Sequence, residues 1–593
     1  MSSDPVIFGG ASGFWGDSAI AFPQLLRAER INYIVFDFLA EVTMSILARA
    51  RAANDALGYA TDFVSQIAPY LPELARRRIR LISNAGGVNP AACAEAIRRE
   101  IERQGLSLRV GLVEGDGVLD QLDALRAEGV REMFSDREMP ASPLSANAYL
   151  GAMPVAAALE GGADIVVTGR CVDSALVLGA CVKEFGWAPD DWDRLAAGSL
   201  AGHLIECGAQ ASGGLFTDWE QTGDWADIGY PIAEIGSDGS CVLTKAAGTG
   251  GLVSVGTAAE QLVYEIGDPA SYLLPDVCCD FTGVRLEQAG PDRVCVDGAR
   301  GRPPGDRYKV SMTYEDGYRL GAIWTIIGHD ARRKAAKVAE AVLRRVDGML
   351  ATRGLDPFTA TDVEILGSEE SYGANARCDD AREVLLKIAA SHPRKEALSM
   401  FLREFTSAGT SMAPGFTGLG GHRPKPMPMV RLFSCLIDKG RLSPRALVDG
   451  KEIAIPTAPN AALTPAPVVD APPPLPDAAA DATVTVPLRS LAFGRSGDKG
   501  DNANIGIIAR DFAVLPYLWA QLSPEMVGKT FAHYAPTKVE RFFLPGPGAI
   551  NFLLHDCLGG GGTASLRNDP QGKGFAQILL DTPITLPREL LAS

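Results

Sequence analysis

His203 and Glu206 stand three residues apart in a stretch with helical character, which puts an imidazole and a carboxylate on one helix face with Cys207 beside them. That is the pairing a general acid–base needs; it is equally the polar end of a helix that stops at Gly208. Arg170, Cys171 and Asp173 follow the apolar run Ile165-Val166-Val167-Thr168. An arginine there pairs with a carboxylate or a phosphate, and Asp173 either serves as a base or holds Arg170 in place. Cys171 is the weaker candidate, because a free cysteine is usually a packing residue.

Glycine clusters offer the complementary chemistry, backbone donors for negative charge. Gly9 to Asp17, with Ser12, Gly13 and Asp17, follows a first strand and precedes a helix near 19–27, so it is either an anion cradle or a tight turn. It fits neither the dinucleotide fingerprint nor the P-loop pattern, which disfavours a nucleotide cofactor. Asn84-Ala85-Gly86-Gly87 and Gly115-Asp116-Gly117 present amides to a carbonyl oxygen, or serve close packing of strand on helix. Lys245 with Gly248-Thr249-Gly250-Gly251 has the composition of a phosphate cradle before a helix that begins near Thr257. His422-Arg423-Pro424-Lys425 either steers an anion or is a solvated loop. Between Gly494 and Asn504, three glycines are interleaved with Arg495, Asp498, Lys499, Asp501 and Asn502. The favoured reading of that loop is a charge-paired docking surface; the other is a contribution to the site.

The elements that must position these groups alternate short β-rich runs with longer helical ones from Pro5 to Gly169, the pattern of an α/β fold with a mostly parallel sheet and flanking helices. Strands are expected at 6–8, 33–36, 79–83, 108–113 and 165–168, and helices at 41–56 and 90–104. Each strand ends in one of the clusters above or, after 33–36, in Asp37, and open parallel sheets bind ligands at those ends. Residues 202–328 read as α+β with hairpin breaks at Ser237-Asp238-Gly239 and Pro304-Gly305-Asp306. Helical periodicity returns at 332–350 and 380–390. The expected units are a core over 1–454, divisible near 201, a Pro/Ala-rich linker over 455–481 and a small α+β domain over 482–593. That last unit is expected to hold strands at 483–486, 506–508 and 576–580 and a helix near 515–527.

Composition narrows the class. The formal net charge is −16 and the pI about 5.0 with mean hydropathy +0.06, which disfavours nucleic-acid and anionic-membrane surfaces. No run approaches the ~20 apolar residues of a membrane span, and the N-terminus lacks a signal-peptide pattern, so a cytoplasmic protein is expected. The 11 cysteines form no C-x-x-C pair and the 6 histidines no metal-binding spacing, so no metal is expected. A glycine-rich α/β chain of this size is expected to form a homo-oligomer.

The chain resembles the acyclic terpene utilisation AtuA-like family, through Gly10-Ala11-Ser12-Gly13-Phe14-Trp15-Gly16-Asp17, Asn84-Ala85-Gly86-Gly87-Val88-Asn89-Pro90, Thr168-Gly169-Arg170-Cys171-Val172-Asp173, Glu206-Cys207-Gly208 and Gly248-Thr249-Gly250-Gly251. Its last hundred residues, with Ser496-Gly497-Asp498-Lys499-Gly500-Asp501 and His533-Tyr534, resemble the ferredoxin-like-fold domain of that family. Cys557 is the sole cysteine there, so the term describes topology and not an iron–sulfur cluster. The resemblance implies a part in breaking down citronellol- or geraniol-type acids through branched acyl-CoA esters. It points to a lyase or hydratase working beside a thioester or carboxylate carbonyl, with no tightly bound cofactor and coenzyme A entering only as part of the substrate. Asp173 or Glu206 would then be the base, assisted by His203. Arg170 and Lys245 would meet CoA phosphate or substrate carboxylate, and the glycine loops would meet the carbonyl oxygen. The alternative is a non-catalytic scaffold for acyl-CoA enzymes.

Overall fold

The computed structural model describes residues 4–418, 423–457, 463–472, 474–475 and 483–591. At its centre five strands run parallel in the order Val6–Gly10, Tyr33–Phe36, Arg80–Ser83, Ile165–Thr168, Val110–Glu114. Each is buried on both faces by helices, which explains their near-continuous apolar sequences. Antiparallel strands extend this into an eleven-stranded sheet. Pro231–Ile235 pairs with Val6–Gly10 at one side, and Arg445–Val448 pairs with Val110–Glu114 at the other. Strands as far apart as Val6–Gly10 and Lys451–Ile453 therefore share one sheet, and position 201 falls inside the helix Trp192–Ile205.

A second sheet is built on the 21-residue strand Arg307–Ile327, backed by the helices Ala331–Thr352 and Lys395–Ser411. Here the expected helix at 380–390 is a strand, Glu383–His392. It is inserted between Ala360–Leu366 and Arg307–Ile327, so both of its edges are hydrogen-bonded and nearly every residue is buried. A continuous apolar run fits either period, and the two neighbours decide it. The break at Pro304-Gly305-Asp306 is no hairpin either, because the strands it joins, Arg300–Arg302 and Arg307–Ile327, belong to different sheets.

The C-terminal unit is a four-stranded antiparallel sheet, Ala492–Lys499, Asn502–Ala509, Ala549–Leu554, Val539–Leu544 in spatial order, covered by short helices, a small α+β arrangement consistent with a ferredoxin-like domain. The polar stretch after Gly494 is not a loop. Its pairing with Asn502–Ala509 is unbroken from Ala492↔Ala509 to Lys499↔Asn502, and only Gly500 and Asp501 make the turn. The segment expected as a last strand at 576–580 is the helix Phe575–Leu580, whose Ala576 N–H donates to Ser496 Oγ at 2.9 Å. The true last strand is Pro583–Pro587, paired with Thr483–Pro487. Within the Pro/Ala-rich stretch, residues 463–472 and 474–475 form no helix or strand, and Arg302 Nη1 holds the carbonyls of Thr464 and Pro465 at 2.6 Å each; 458–462, 473 and 476–481 lie outside the described residues.

Candidate functional site

A cleft of about 950 Å³ opens between the carboxyl ends of the parallel strands and the Asp498–Asn502 end of the C-terminal hairpin. Asp37, Glu41, Arg170, Asp173 and Glu206 line it from the core; Asp498, Lys499 and Lys573 line it from the C-terminal domain. Lys309 and Arg431 come from the second sheet, and Tyr264 and Glu265 from the segment between.

Glu206 is the C-terminal cap of the helix Trp192–Ile205. That helix end reaches the cleft because the loop after the first strand has no side chains in its way. A Cβ on Gly10 would lie 2.2 Å from the Ile205 carbonyl oxygen, and one on Gly13 would lie 2.6 Å from the Cys207 carbonyl carbon. Asp17 ties this loop down, Oδ2 accepting from the Gly13 N–H at 2.9 Å and Oδ1 from the Tyr230 hydroxyl at 2.7 Å. The Gly9–Asp17 cluster is thus a rigid close-packed turn, with the Gly13 amide already committed.

His203 Nδ1 and Glu206 Oε1 are 3.0 Å apart. The imidazole is buried, faces Phe281 and stays behind the carboxylate, while Glu206 reaches the cleft. Burial pushes the Glu206 carboxyl up to about 7, and Asp173 and Glu265 add to this against the opposing pull of His203. On His203, burial acts downward, but the charge and hydrogen bond of Glu206 together with Glu265 carry its net shift up.

Arg170 is buried beneath Tyr149, its guanidinium 4.2 Å from the ring centroid; Nη1 donates to the Leu39 carbonyl at 2.6 Å and to Asp173 Oδ1 at 3.1 Å. Asp116 does not line the cleft; it supports Arg170 from behind, accepting from its backbone N–H at 3.0 Å and from Asn147 Nδ2 at 2.7 Å. Asn84 likewise supports Asp37, donating to its Oδ1 at 2.6 Å, and Ser12 Oγ donates to the Asp37 carbonyl at 3.0 Å. Burial, then Asp173, pushes the Asp37 carboxyl well up against Arg170 and Asn84. Gly86 and Gly87 lie outside the lining of the cleft; a Cβ on Gly86 would meet Pro90 and the Thr168 carbonyl at 2.6 Å, so this glycine serves packing. Cys171 is fully buried and its thiol is pushed well up by that burial, which removes it as a nucleophile.

Two clusters sit elsewhere. Lys245 lines a separate concavity of about 790 Å³, with Nζ held by Asp292 Oδ2 and the Thr249 carbonyl at 3.0 Å each. Gly250 is a backbone crossing, where a Cβ would lie 1.9 Å from the Asp224 carbonyl oxygen. Arg423 is exposed and apart from the cleft, and His422 lies outside the described residues. The hairpin 492–509 divides its labour. Arg495 docks the two domains, donating to the Leu215 carbonyl at 3.0 Å and to Gln210 Oε1. Asp501 and Asn502 are used within the domain, accepting from the Gly560 and Asp556 N–H groups at 2.7 and 3.0 Å. Lys499 lies 5.6 Å above the Tyr272 ring and makes no ion pair among the described residues.

The AtuA profile, described as acyclic terpene utilisation family protein AtuA, matches residues 6–448, and that of the AtuA ferredoxin-like domain matches 486–585. The chain belongs to the acyclic terpene utilisation family AtuA. Membership implies a role in acyclic terpene utilisation. No curated protein and no solved structure matches the chain. Among the described residues of this AtuA-family protein no helix is long and apolar enough to cross a membrane, and no group of three His, Cys, Asp or Glu is placed to hold a metal ion.

Several cleft residues of this chain carry no local signal. Glu41, at the start of the helix Glu41–Ala53, accepts from the Tyr149 hydroxyl at 2.5 Å; burial opposes its ionisation, yet Lys309 and Arg170 hold its carboxyl down at about 2. Lys309 lies near the start of the strand Arg307–Ile327 and Arg431 within Met427–Asp438, and Glu265 follows an amphipathic helix. The run Gly559-Gly560-Gly561-Gly562 is different: its first two glycines line the cleft, and four consecutive glycines are a readable signal.

Proposed function

We propose that the protein is an enzyme of acyclic terpene breakdown that adds water to, or removes it from, a branched acyl-CoA or the related carboxylic acid at the carbons beside the carbonyl. The observation that carries this reading is Glu206, a cleft carboxyl held at about 7 by burial and braced by His203. At neutral pH such a group is present in both forms, so it both takes and gives a proton. Lys499 and Arg170 place positive charge in the same cleft, where negative charge would develop on the carbonyl oxygen. The cleft volume of about 950 Å³ lies near the top of the roughly 300–1,000 Å³ range of small-molecule sites, in keeping with a CoA ester.

In hydration the water oxygen bonds to Cβ as the C=C π pair takes a proton at Cα. One carboxylate removes a proton from the water and one carboxylic acid supplies the proton at Cα, and solvent exchange restores both. Dehydration is the reverse. The test is incubation with geranoyl-CoA and shorter branched enoyl- and 3-hydroxyacyl-CoA esters, read by mass spectrometry as gain or loss of one water, with calorimetry for binding. Turnover that disappears in Glu206→Gln is expected. No turnover together with no binding of any CoA ester overturns the reading.

A further inference from the structure

Two asparagines of the C-terminal domain, Asn504 and Asn551, are fully buried in strands whose neighbours Ala503, Ile505, Ile550 and Phe552 are apolar. Buried amides in an apolar sheet are costly unless every polar atom finds a partner. These find theirs across the domain boundary. Asn504 Oδ1 accepts from the Glu265 backbone N–H at 2.9 Å, and its Nδ2 donates to the Val263 carbonyl at 2.7 Å and to Asn551 Oδ1 at 3.0 Å. Asn551 Nδ2 donates to the carbonyls of Ile266 and Gly267 at 2.8 and 2.7 Å. The two side chains thus satisfy four backbone groups in the five residues 263–267.

The residue at the centre of that clamp is in an unfavourable conformation. Glu265 has φ 57°, the left-handed region, which costs a residue with a Cβ about 1–2 kcal/mol. Strain of this kind persists where surrounding contacts over-determine it, and it gathers at functional sites. Its consequence is visible in the cleft, because Glu265 lines it together with Glu206 and Asp498. The field of Glu265 is felt at both, helping to raise the carboxyls of Glu206 and Asp498. The Asp498–Lys499 end of the same hairpin adjoins Glu265: a Cβ on Gly497 would lie 3.1 Å from Glu265 Cγ, and Asp498 and Lys499 line the same cleft.

We infer that the C-terminal domain is part of the catalytic apparatus: Asn504 and Asn551 are positioning residues that hold Glu265 in the cleft as the second proton-transfer carboxyl, complementary to Glu206. The inference rests on the proposed function for its chemistry. There, Glu206 in its acid form supplies the Cα proton and Glu265 takes the proton from water, or the reverse in dehydration.

The test uses the full chain with Glu265→Gln, the near-isosteric Asn504→Leu, and the double variant. On the CoA ester turned over best, Glu265→Gln is expected to lower kcat about 100-fold or more with KM within about threefold, and Asn504→Leu to lower kcat about tenfold. In the double variant the asparagine change is expected to add less than about threefold, because it acts through Glu265. Full additivity, or full activity of Glu265→Gln, overturns the inference. A ligand-free arm separates it from the proposed function. The titration midpoint of Glu206, read as the infrared carboxyl difference between parent and Glu206→Gln, faces His203, Asp173 and Glu265. It is expected to fall by about half a unit or more in Glu265→Gln and in Asn504→Leu alike. A midpoint unmoved in both overturns the inference even if turnover is found, and a shift seen without turnover retains the clamp while the proposed reaction falls. Amide hydrogen exchange confined to 263–267 in Asn504→Leu confirms that the domains remain folded; a global increase transfers the test to Asn551→Leu, scored in the same way.

Discussion

The Lys245 loop and the Lys499 hairpin look alike on paper, each a lysine among glycines and small polar residues, but the fold uses them in opposite ways. Lys245 is neutralised by Asp292 and the Thr249 carbonyl, and the glycine beside it is where two backbones cross. Lys499 stands in the main cleft with an aromatic face as its neighbour and no ion pair among the described residues. The difference teaches that composition marks where polar groups must be satisfied. Whether the protein itself satisfies them, or leaves one for a ligand, depends on which distant segment arrives beside them.

The sharpest way to break this comparison is at the cleft itself. Glu206→Gln keeps the shape and the contact with His203 but removes the titration, and is expected to lower kcat by about 10²–10⁴ with the fold intact by circular dichroism. Lys499→Met is expected to reduce kcat/KM about ten- to a hundredfold, the worth of one charge-assisted contact. Lys245→Met should leave turnover within about twofold and cost about 1 kcal/mol in urea unfolding, since its partner Asp292 is partly exposed. Equal loss of activity in the two lysine variants would erase the distinction between the regions.

The glycines sharpen it on the stability side. Gly250→Ala drives a methyl group into the Asp224 backbone and is expected to cost about 3 kcal/mol of unfolding free energy, although it is far from the chemistry. Gly500→Ala meets no atom within 4 Å, and only its φ of +67° resists the change, so about 1 kcal/mol is expected. A tolerated Gly250→Ala would mean that the Lys245 loop is looser than its packing implies.

Much of this was legible before any coordinates. The parallel strands, their order of chemistry-bearing ends and the helix carrying His203 and Glu206 follow from local pattern, because βαβ units write period and turn residues into contiguous sequence. What did not show is what depends on partners far away in the chain. Glu383–His392 becomes a strand because two other strands flank it, and 576–580 becomes a helix because its apolar face closes over the sheet. Glu265 had no local mark at all. Its place is set by asparagines 239 and 286 positions later, and no periodicity within a window of a dozen residues can report that. Asn84, Ser12 and Asp116 were drawn to the right neighbourhood but support the cleft from behind, since polar residues that orient a site and those that face it share one composition.

The pH dependence of stability tests whether the hairpin side is the pH-sensitive one. Glu260 lies beneath the hairpin, 4.0 Å from Arg495, with Oε1 accepting from the Thr217 N–H at 3.0 Å. Burial raises its carboxyl to about 7, against the lowering contacts of Thr217 and Arg495. With the folded value above the unfolded one, the native state binds the extra proton between about pH 4.5 and 7, so this contribution is complete below that window and is lost as pH rises through it. Full loss of a shift of that size corresponds to about 3 kcal/mol at the upper bound. Glu260→Gln keeps an acceptor for Thr217 and cannot ionise, so its urea midpoint should fall less between pH 5 and pH 8 than that of the parent, whereas Lys245→Met should follow the parent's pH profile. Parallel profiles for the parent and Glu260→Gln would mean that the docked hairpin carries no such burden, and that the two regions differ in ligand access alone.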